Sequence, residues 1–88
     1  MINPIKKLFN IMNEDEKDFM EVHDLMLRWR GKEGHRVPSE DVRRIFNIQN
    51  KVTGVLEYSV SCSSCRARTW NRLKEWYDGN KERYKHLI

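Results

Sequence analysis

Two cysteines separated by two serines are the residues of this 88-residue chain whose types and spacing could do chemistry. Cys62 and Cys65 form a CxxC pair, a pattern that can hold zinc, exchange thiols with disulfides, or only pack at the start of a helix. These three uses predict different functions for the protein. To choose between the three uses, we consider the other residues that could bind a metal and the segments that flank the pair.

A structural zinc site needs four ligands, of which a CxxC pair supplies two. The only histidines that could complete such a site are His23, His35 and His86. They do not form a compact second half-site, and His23 lies on the inner stripe of a predicted helix, where a buried, hydrogen-bonded histidine is the usual outcome. We therefore expect no cofactor. Zinc at Cys62 and Cys65, completed by an unknown third ligand or shared between two chains, is the alternative.

Thiol–disulfide exchange is the second use of a CxxC pair, and it is favoured where the pair joins a strand to the start of a helix. Thioredoxin-like proteins need a sheet of several strands, whereas this sequence offers one strand-like run. We expect Cys65 to pack as a small apolar side chain, with Ser61 or Ser63 capping the helix. In a reducing cytosol the two cysteines are expected to be thiols or ligands rather than a disulfide.

The residues after the pair predict a basic helix over 64–78, with arginines on one side and tryptophans on the other or between the two. Arginine beside tryptophan suits phosphate contact, base stacking or a protein interface. The candidate contact residues on this helix are Arg66, Arg68, Arg72, Lys74 and Trp76. The loops over 31–38 and 54–63 are too long for a helix-turn-helix, so sequence-specific reading of DNA is not favoured.

Catalysis has less support than binding. The sequence shows no paired carboxylates, no glycine-rich phosphate loop and no nucleophile spaced from a base, so we expect the protein not to be an enzyme.

Helical spacing of apolar residues dominates the chain and predicts a mainly α fold, a small single domain over 1–88 with three to four helices. One short extended segment precedes the helix led by the CxxC pair. The expected elements are a short helix over 4–12, an acidic amphipathic helix over 14–30, a helix over 39–53 capped by Ser39, the extended segment over 55–61, the basic helix over 64–78, and a turn or helix over 80–88 after an interruption at Gly79 and Asn80.

Charge is unevenly distributed along the chain, which carries a net +4. Acidic residues are concentrated in the first third and basic residues in the remainder. The two signs either pair within the fold or form two docking faces, one of them suited to an acidic partner such as nucleic acid. No segment is long and apolar enough for a membrane span, so we expect no membrane partner. A chain this short buries only about 60–65% of its unfolded surface, which favours completion by a neighbour.

Three short runs carry a resemblance to a known group of proteins. They are Asn47 with Asn50-Lys51-Val52-Thr53-Gly54, then Ser61-Cys62-Ser63-Ser64-Cys65, then Arg72-Leu73-Lys74. In this order they resemble small CxxC-bearing proteins of tailed phages of Bacteroidetes, including crAss-like phages, over residues 42–77. The resemblance implies a phage gene product that is part of the virion, and it implies no catalytic residues.

These observations lead us to expect a non-enzymatic structural or interaction protein of a large assembly. The assembly would be a bacteriophage virion, in which the protein is present in many copies and docks on neighbouring proteins after synthesis in the host cytoplasm. The alternative is a small basic module that binds nucleic acid, with or without zinc at the CxxC pair. If the protein is not phage-derived, we expect it to be cytoplasmic.

Overall fold

Three helices make up the part of the protein that the structure describes. The computed structural model describes residues 12–33 and 35–88, in which α1 (Glu14–Trp29), α2 (Ser39–Thr53) and α3 (Ser63–Tyr84) are followed by a short 3₁₀ turn, Lys85–Leu87. No strand occurs in these residues, and the prediction of a small, mainly α domain is confirmed. The helix predicted over 4–12 lies outside the described residues except for Met12. No helix in the described ranges is long and apolar enough to cross a membrane.

Helix α1 begins at a capping box. The side chain of Asn13 accepts a hydrogen bond from the backbone N–H of Glu16 at 2.8 Å, and the Glu16 carboxylate accepts one from the N–H of Asn13 at 3.0 Å. This reciprocal pair satisfies two backbone donors that a helix start leaves free, and the acids of the first turn favour the positive end of the helix. The helix ends at Trp29, one residue before the predicted end.

Helix α2 occupies the predicted range, but its start differs in detail. Pro38 is the N-cap and no side chain caps the helix, so Ser39 is the first helical residue and the prediction that it caps the helix is wrong. At the other end Gly54 has a φ of 72°, a left-handed conformation that suits glycine, and its N–H donates to the carbonyl of Asn50.

Helix α3 is longer than predicted, because Gly79 and Asn80 do not interrupt it. The side chain of Asn80 donates to the carbonyl of Trp76 at 2.8 Å within the helix. Tyr77 and Tyr84, on either side of the glycine, are both buried in the core. Their packing outweighs the cost of about 1 kcal/mol for a glycine inside a helix.

Residues 55–61, the predicted extended segment, contain no helix and no β-strand. A strand needs a partner for its backbone N–H and C=O groups, and the part of the chain that the structure describes provides none. The backbone of this segment is instead hydrogen-bonded to side chains of α2, as described below.

The core is built around Phe19, whose side chain is fully buried. Its ring lies 5.2 Å from that of Tyr77 and 4.8 Å from that of Tyr84, centroid to centroid. His23 lies beside them, with Nδ1 2.6 Å from the Tyr77 hydroxyl, as expected for a hydrogen-bonded histidine on the inner stripe. The other buried members of this cluster are Val22, Leu25, Met26, Ile45, Ile48 and Leu73.

Ion pairs join the acidic side of α1 to α2. The pairs are Lys51 with Glu14 and Asp18, and Arg44 with Glu21 and Asp24. Hydrogen bonds to Asp18 and Glu14 raise the pKa of Lys51, and the same contact lowers the pKa of Glu14. Of the two interpretations of the uneven charge, pairing within the fold therefore describes these four carboxylates of α1.

We predict that Phe19→Ala lowers the free energy of unfolding by about 3–5 kcal/mol, because it leaves a cavity among the aromatic rings. Urea unfolding followed by circular dichroism measures the change. Leu27→Ala is the matched control on the same helix; its side chain is 70% exposed, and the change should be within about 0.5 kcal/mol. Equal unfolding midpoints for Phe19→Ala and the wild type would contradict this description of the core.

Candidate interaction surface

The side chain of Gln49 on α2 is completely buried, although it is polar. Its amide nitrogen donates to the carbonyl of Val55 at 2.6 Å and to the side-chain oxygen of Asn50 at 2.8 Å. Its amide oxygen accepts from Nη1 of Arg72 at 3.0 Å. Gln49 therefore joins three parts of the chain: α2, the segment that follows α2, and α3. A buried amide needs such hydrogen bonds, because it has lost its hydrogen bonds to water.

Asn50 holds the backbone of the same segment, residues 54–62, which we call the 54–62 loop. Its side-chain nitrogen donates to the carbonyl of Glu57 at 2.9 Å, and its side-chain oxygen accepts from the N–H of Glu57 at 3.0 Å. These two bonds occupy the groups that a neighbouring strand would otherwise pair. The N–H of Val55 donates to the hydroxyl of Thr53 at 3.1 Å. Side chains of α2 thus fix the path of the loop without a sheet.

The carboxylate of Glu57 joins the loop to α3. Nη1 of Arg72 lies 3.2 Å from it and Nε of Arg68 lies 3.3 Å from it. The hydrogen bond from Arg72, supported by that from Arg68, lowers the pKa of Glu57 against the opposing effect of desolvation. Two of the cations predicted to contact a partner therefore already bind a carboxylate of the same chain.

The remaining predicted contact residues also have neighbours within the fold. Nε of Arg66 donates to the carbonyl of Val60, and Nζ of Lys74 lies 3.3 Å from the carboxylate of Glu33. Trp76 is half-buried and packs against the core. These acceptors are distant in sequence or belong to the backbone of the loop, so helical spacing alone could not reveal them.

Three large apolar side chains of the 54–62 loop face solvent. Val55 is 44% exposed, Leu56 62% and Tyr58 74%. The sequence analysis did not single them out, because an extended segment alone does not indicate which of its side chains are exposed. A backbone fixed from inside and large apolar side chains directed outward are together typical of a protein interface.

Cys62 and Cys65 form a disulfide, and no cysteine of the chain is free. The structure thus joins the two cysteines instead of leaving them as separate thiols, while the expectation of no cofactor, with zinc as its alternative, stays a prediction. The reason for the disulfide lies in the start of α3, where Cys62 is the N-cap in place of the expected Ser61 or Ser63 and its sulfur accepts from the N–H of Cys65. This brings the two Cα atoms within 5.2 Å, a separation that a disulfide can span.

Cys65 is buried against Val42 and Phe46, as expected for a small apolar side chain. Within residues 12–33 and 35–88, no three His, Cys, Asp or Glu side chains are grouped so as to hold a metal ion. His23 bonds to Tyr77 and His86 lies 3.2 Å from the carboxylate of Glu16.

Residues 1–75 match the family described as the SAPC2 EF-hand like N-terminal domain. No curated protein and no solved structure matches the chain.

An EF-hand loop coordinates Ca²⁺ through several oxygen ligands, with a bidentate carboxylate at its end. The loop between α1 and α2, residues 30–38, contains one carboxylate, Glu33. Hydrogen bonds from its own backbone and from Trp70 lower the pKa of Glu33 to about 2. At the start of α2 the buried carboxylate of Asp41 accepts from Nε1 of Trp29 at 2.8 Å and lies 3.2 Å from Arg28. These residues do not fit a calcium site. The indole of Trp29 and the guanidinium of Arg28 bind the Asp41 carboxylate and so join α1 to α2.

We predict that 1 mM Ca²⁺ leaves the thermal unfolding midpoint unchanged. A ligand at 100 times its Kd would stabilise the fold by about 2.7 kcal/mol, which a thermal scan detects readily. Asp41→Asn serves as a positive control, because weakening the buried contacts of Asp41 should cost about 1–3 kcal/mol and lower the midpoint. A rise of the midpoint with Ca²⁺ that a chelator reverses would show that the loop binds the ion after all.

Proposed function

This chain belongs to the SAPC2 EF-hand like N-terminal domain family, and we propose that it is a non-enzymatic interaction protein that docks on neighbouring proteins through its 54–62 loop. The exposure of Val55, Leu56 and Tyr58 on a loop fixed by Gln49 and Asn50 carries this proposal. A loop already held in one conformation loses less entropy on binding than a flexible one. Exposed aromatic and aliphatic side chains then supply the buried area of an interface.

The contacts of the basic helix favour a protein partner over a nucleic acid. Arg68 and Arg72 bind Glu57, and Lys74 binds Glu33, so a phosphate would have to compete with a carboxylate at each of these cations. The apolar side chains of the loop would gain little from a phosphate backbone, whereas a protein surface can bury them.

The resemblance to small proteins of tailed phages points to the assembly that we propose. It spans residues 42–77, which contain the 54–62 loop together with the parts of α2 and α3 that fix it. We therefore propose a bacteriophage virion as the assembly, with synthesis in the host cytoplasm followed by incorporation in many copies.

Incorporation into particles tests this proposal. We predict that particles purified from the producing cells contain the chain at a fixed stoichiometry by mass spectrometry. The double variant Leu56→Ser, Tyr58→Ser should be incorporated at about one tenth of that level or less, because interface hot spots cost about 2 kcal/mol or more when removed. Its thermal midpoint should stay near that of the wild type, since both side chains are exposed. Leu27→Ser, at another exposed apolar position, is the control.

Two results would contradict the proposal. One is incorporation of the double variant at the wild-type level. The other is binding of free duplex DNA at micromolar concentration and physiological salt, with a log–log salt slope of about −3 to −4 that falls by about one as each of Arg66, Arg68, Arg72 and Lys74 is neutralised. That second result would identify the protein as a nucleic-acid-binding module.

A further inference from the structure

A groove of about 540 Å³ opens between the first halves of α2 and α3, beside the loop that joins α1 to α2. Buried Val42 and Phe46 and half-buried Trp29 and Trp70 line it, together with the exposed Ala67. Its volume lies in the range of about 300–1,000 Å³ that is usual for binding sites. No residue from 54 to 62 lines the groove, so it is a different surface from the docking loop.

The charged residues of this groove are mainly cations. Lys32, Arg36 and Arg66 line it with exposed side chains, and Glu33 supplies the one carboxylate. That carboxylate is already occupied, since it accepts from Nε1 of Trp70 at 3.2 Å and from Lys74 at 3.3 Å. Among the described residues, no carboxylate lies within ion-pair distance of Lys32 or Arg36, in contrast to the cations that bind Glu57. The groove therefore combines an apolar lining with unneutralised positive charge.

We propose that this groove binds an acidic amphipathic helix of a partner protein. Its apolar side chains would enter between Trp29 and Trp70, and its Asp or Glu residues would pair with Lys32 and Arg36. Helices commonly bind in this way, with one apolar face in a groove and charges at the rim. The inference rests on the proposed function only in requiring a partner protein.

Other occupants fit the charges less well. A second copy of the chain offers α1 as an acidic helix, but four of its six acids already bind Lys51 or Arg44, and a fifth, Glu16, lies beside His86. Residues 1–11 of the same chain contain two lysines and no acid, so their charge has the same sign as that of the groove. A separate protein with an acidic helix is thus the occupant that charge complementarity favours.

A designed peptide tests the proposal on the full chain. The probe is a labelled 16-residue peptide with leucines at i, i+3, i+4 and i+7 spacing and glutamates at the flanking positions. Fluorescence anisotropy should show micromolar binding that weakens with salt, and a matched peptide with lysine for glutamate should bind at least about tenfold more weakly. Ala67→Phe, which fills the groove from an exposed position of α3, should weaken binding of the glutamate peptide by about tenfold or more.

A charge-matched pair of variants isolates the role of the rim. Arg36→Glu should weaken binding by about tenfold, while Arg43→Glu, an exposed position of α2 outside the groove, should change it by less than about twofold. Absence of binding by the glutamate peptide, or equal binding by Ala67→Phe and the wild type, would overturn the proposal. The Leu56→Ser, Tyr58→Ser variant should bind the peptide normally, so failure of the groove and failure of the docking loop are separate results.

Discussion

Burial of the Gln49 amide is the constraint on which the rest of the structure depends. An amide with no access to water costs about 1–3 kcal/mol if its hydrogen bonds are lost. Its partners are the carbonyl of Val55 and the guanidinium of Arg72, so its burial requires the 54–62 loop to fold back over α2 and α3. The polar groups of the loop are then directed inward. Its apolar side chains are left on the surface, which is the reverse of a strand with a buried apolar face.

Most basic residues of α2 and α3 that the structure pairs with carboxylates join one element to another. Arg72 binds both Gln49 and Glu57, and Arg44 and Lys51 hold the acidic side of α1. Exposed ion pairs contribute about 0–1 kcal/mol each, so their main effect is to align the helices and neutralise charge rather than to stabilise the fold strongly. Lys32 and Arg36, on the rim of the apolar groove, have no carboxylate of the described residues within ion-pair distance. The mainly basic sequence after α1 is therefore divided into cations that pair within the fold and cations that stay exposed.

Local signals allowed the sequence to predict α1 and α2 to within one residue, because the capping box at Asn13, the apolar stripes and Gly54 all act over a few residues. The failures have tertiary causes. The sequence could not show what holds the extended segment over 55–61, because side chains of Gln49 and Asn50 take the place of a partner strand. An end of α3 at Gly79 was predicted, but the helix continues through Gly79 because Tyr77 and Tyr84 on either side of it are buried in the core. The cysteines were expected to be thiols or ligands because a reducing compartment was assumed, whereas the start of α3 brings them together. The carboxylates that bind the basic helix could not be predicted, because spacing gives no information on which groups meet across the fold.

The order of the 54–62 loop in solution tests the central claim most directly. We predict ¹⁵N order parameters of about 0.85 for residues 55–58, the value typical of a rigid backbone. Removing the two bonds to Glu57 with Asn50→Ala should lower them below about 0.6, while Asn47→Ala, an exposed neighbour on α2, should leave them unchanged. Order parameters below about 0.6 for these residues in the wild type would contradict the account, because the loop would then be flexible despite the buried amide.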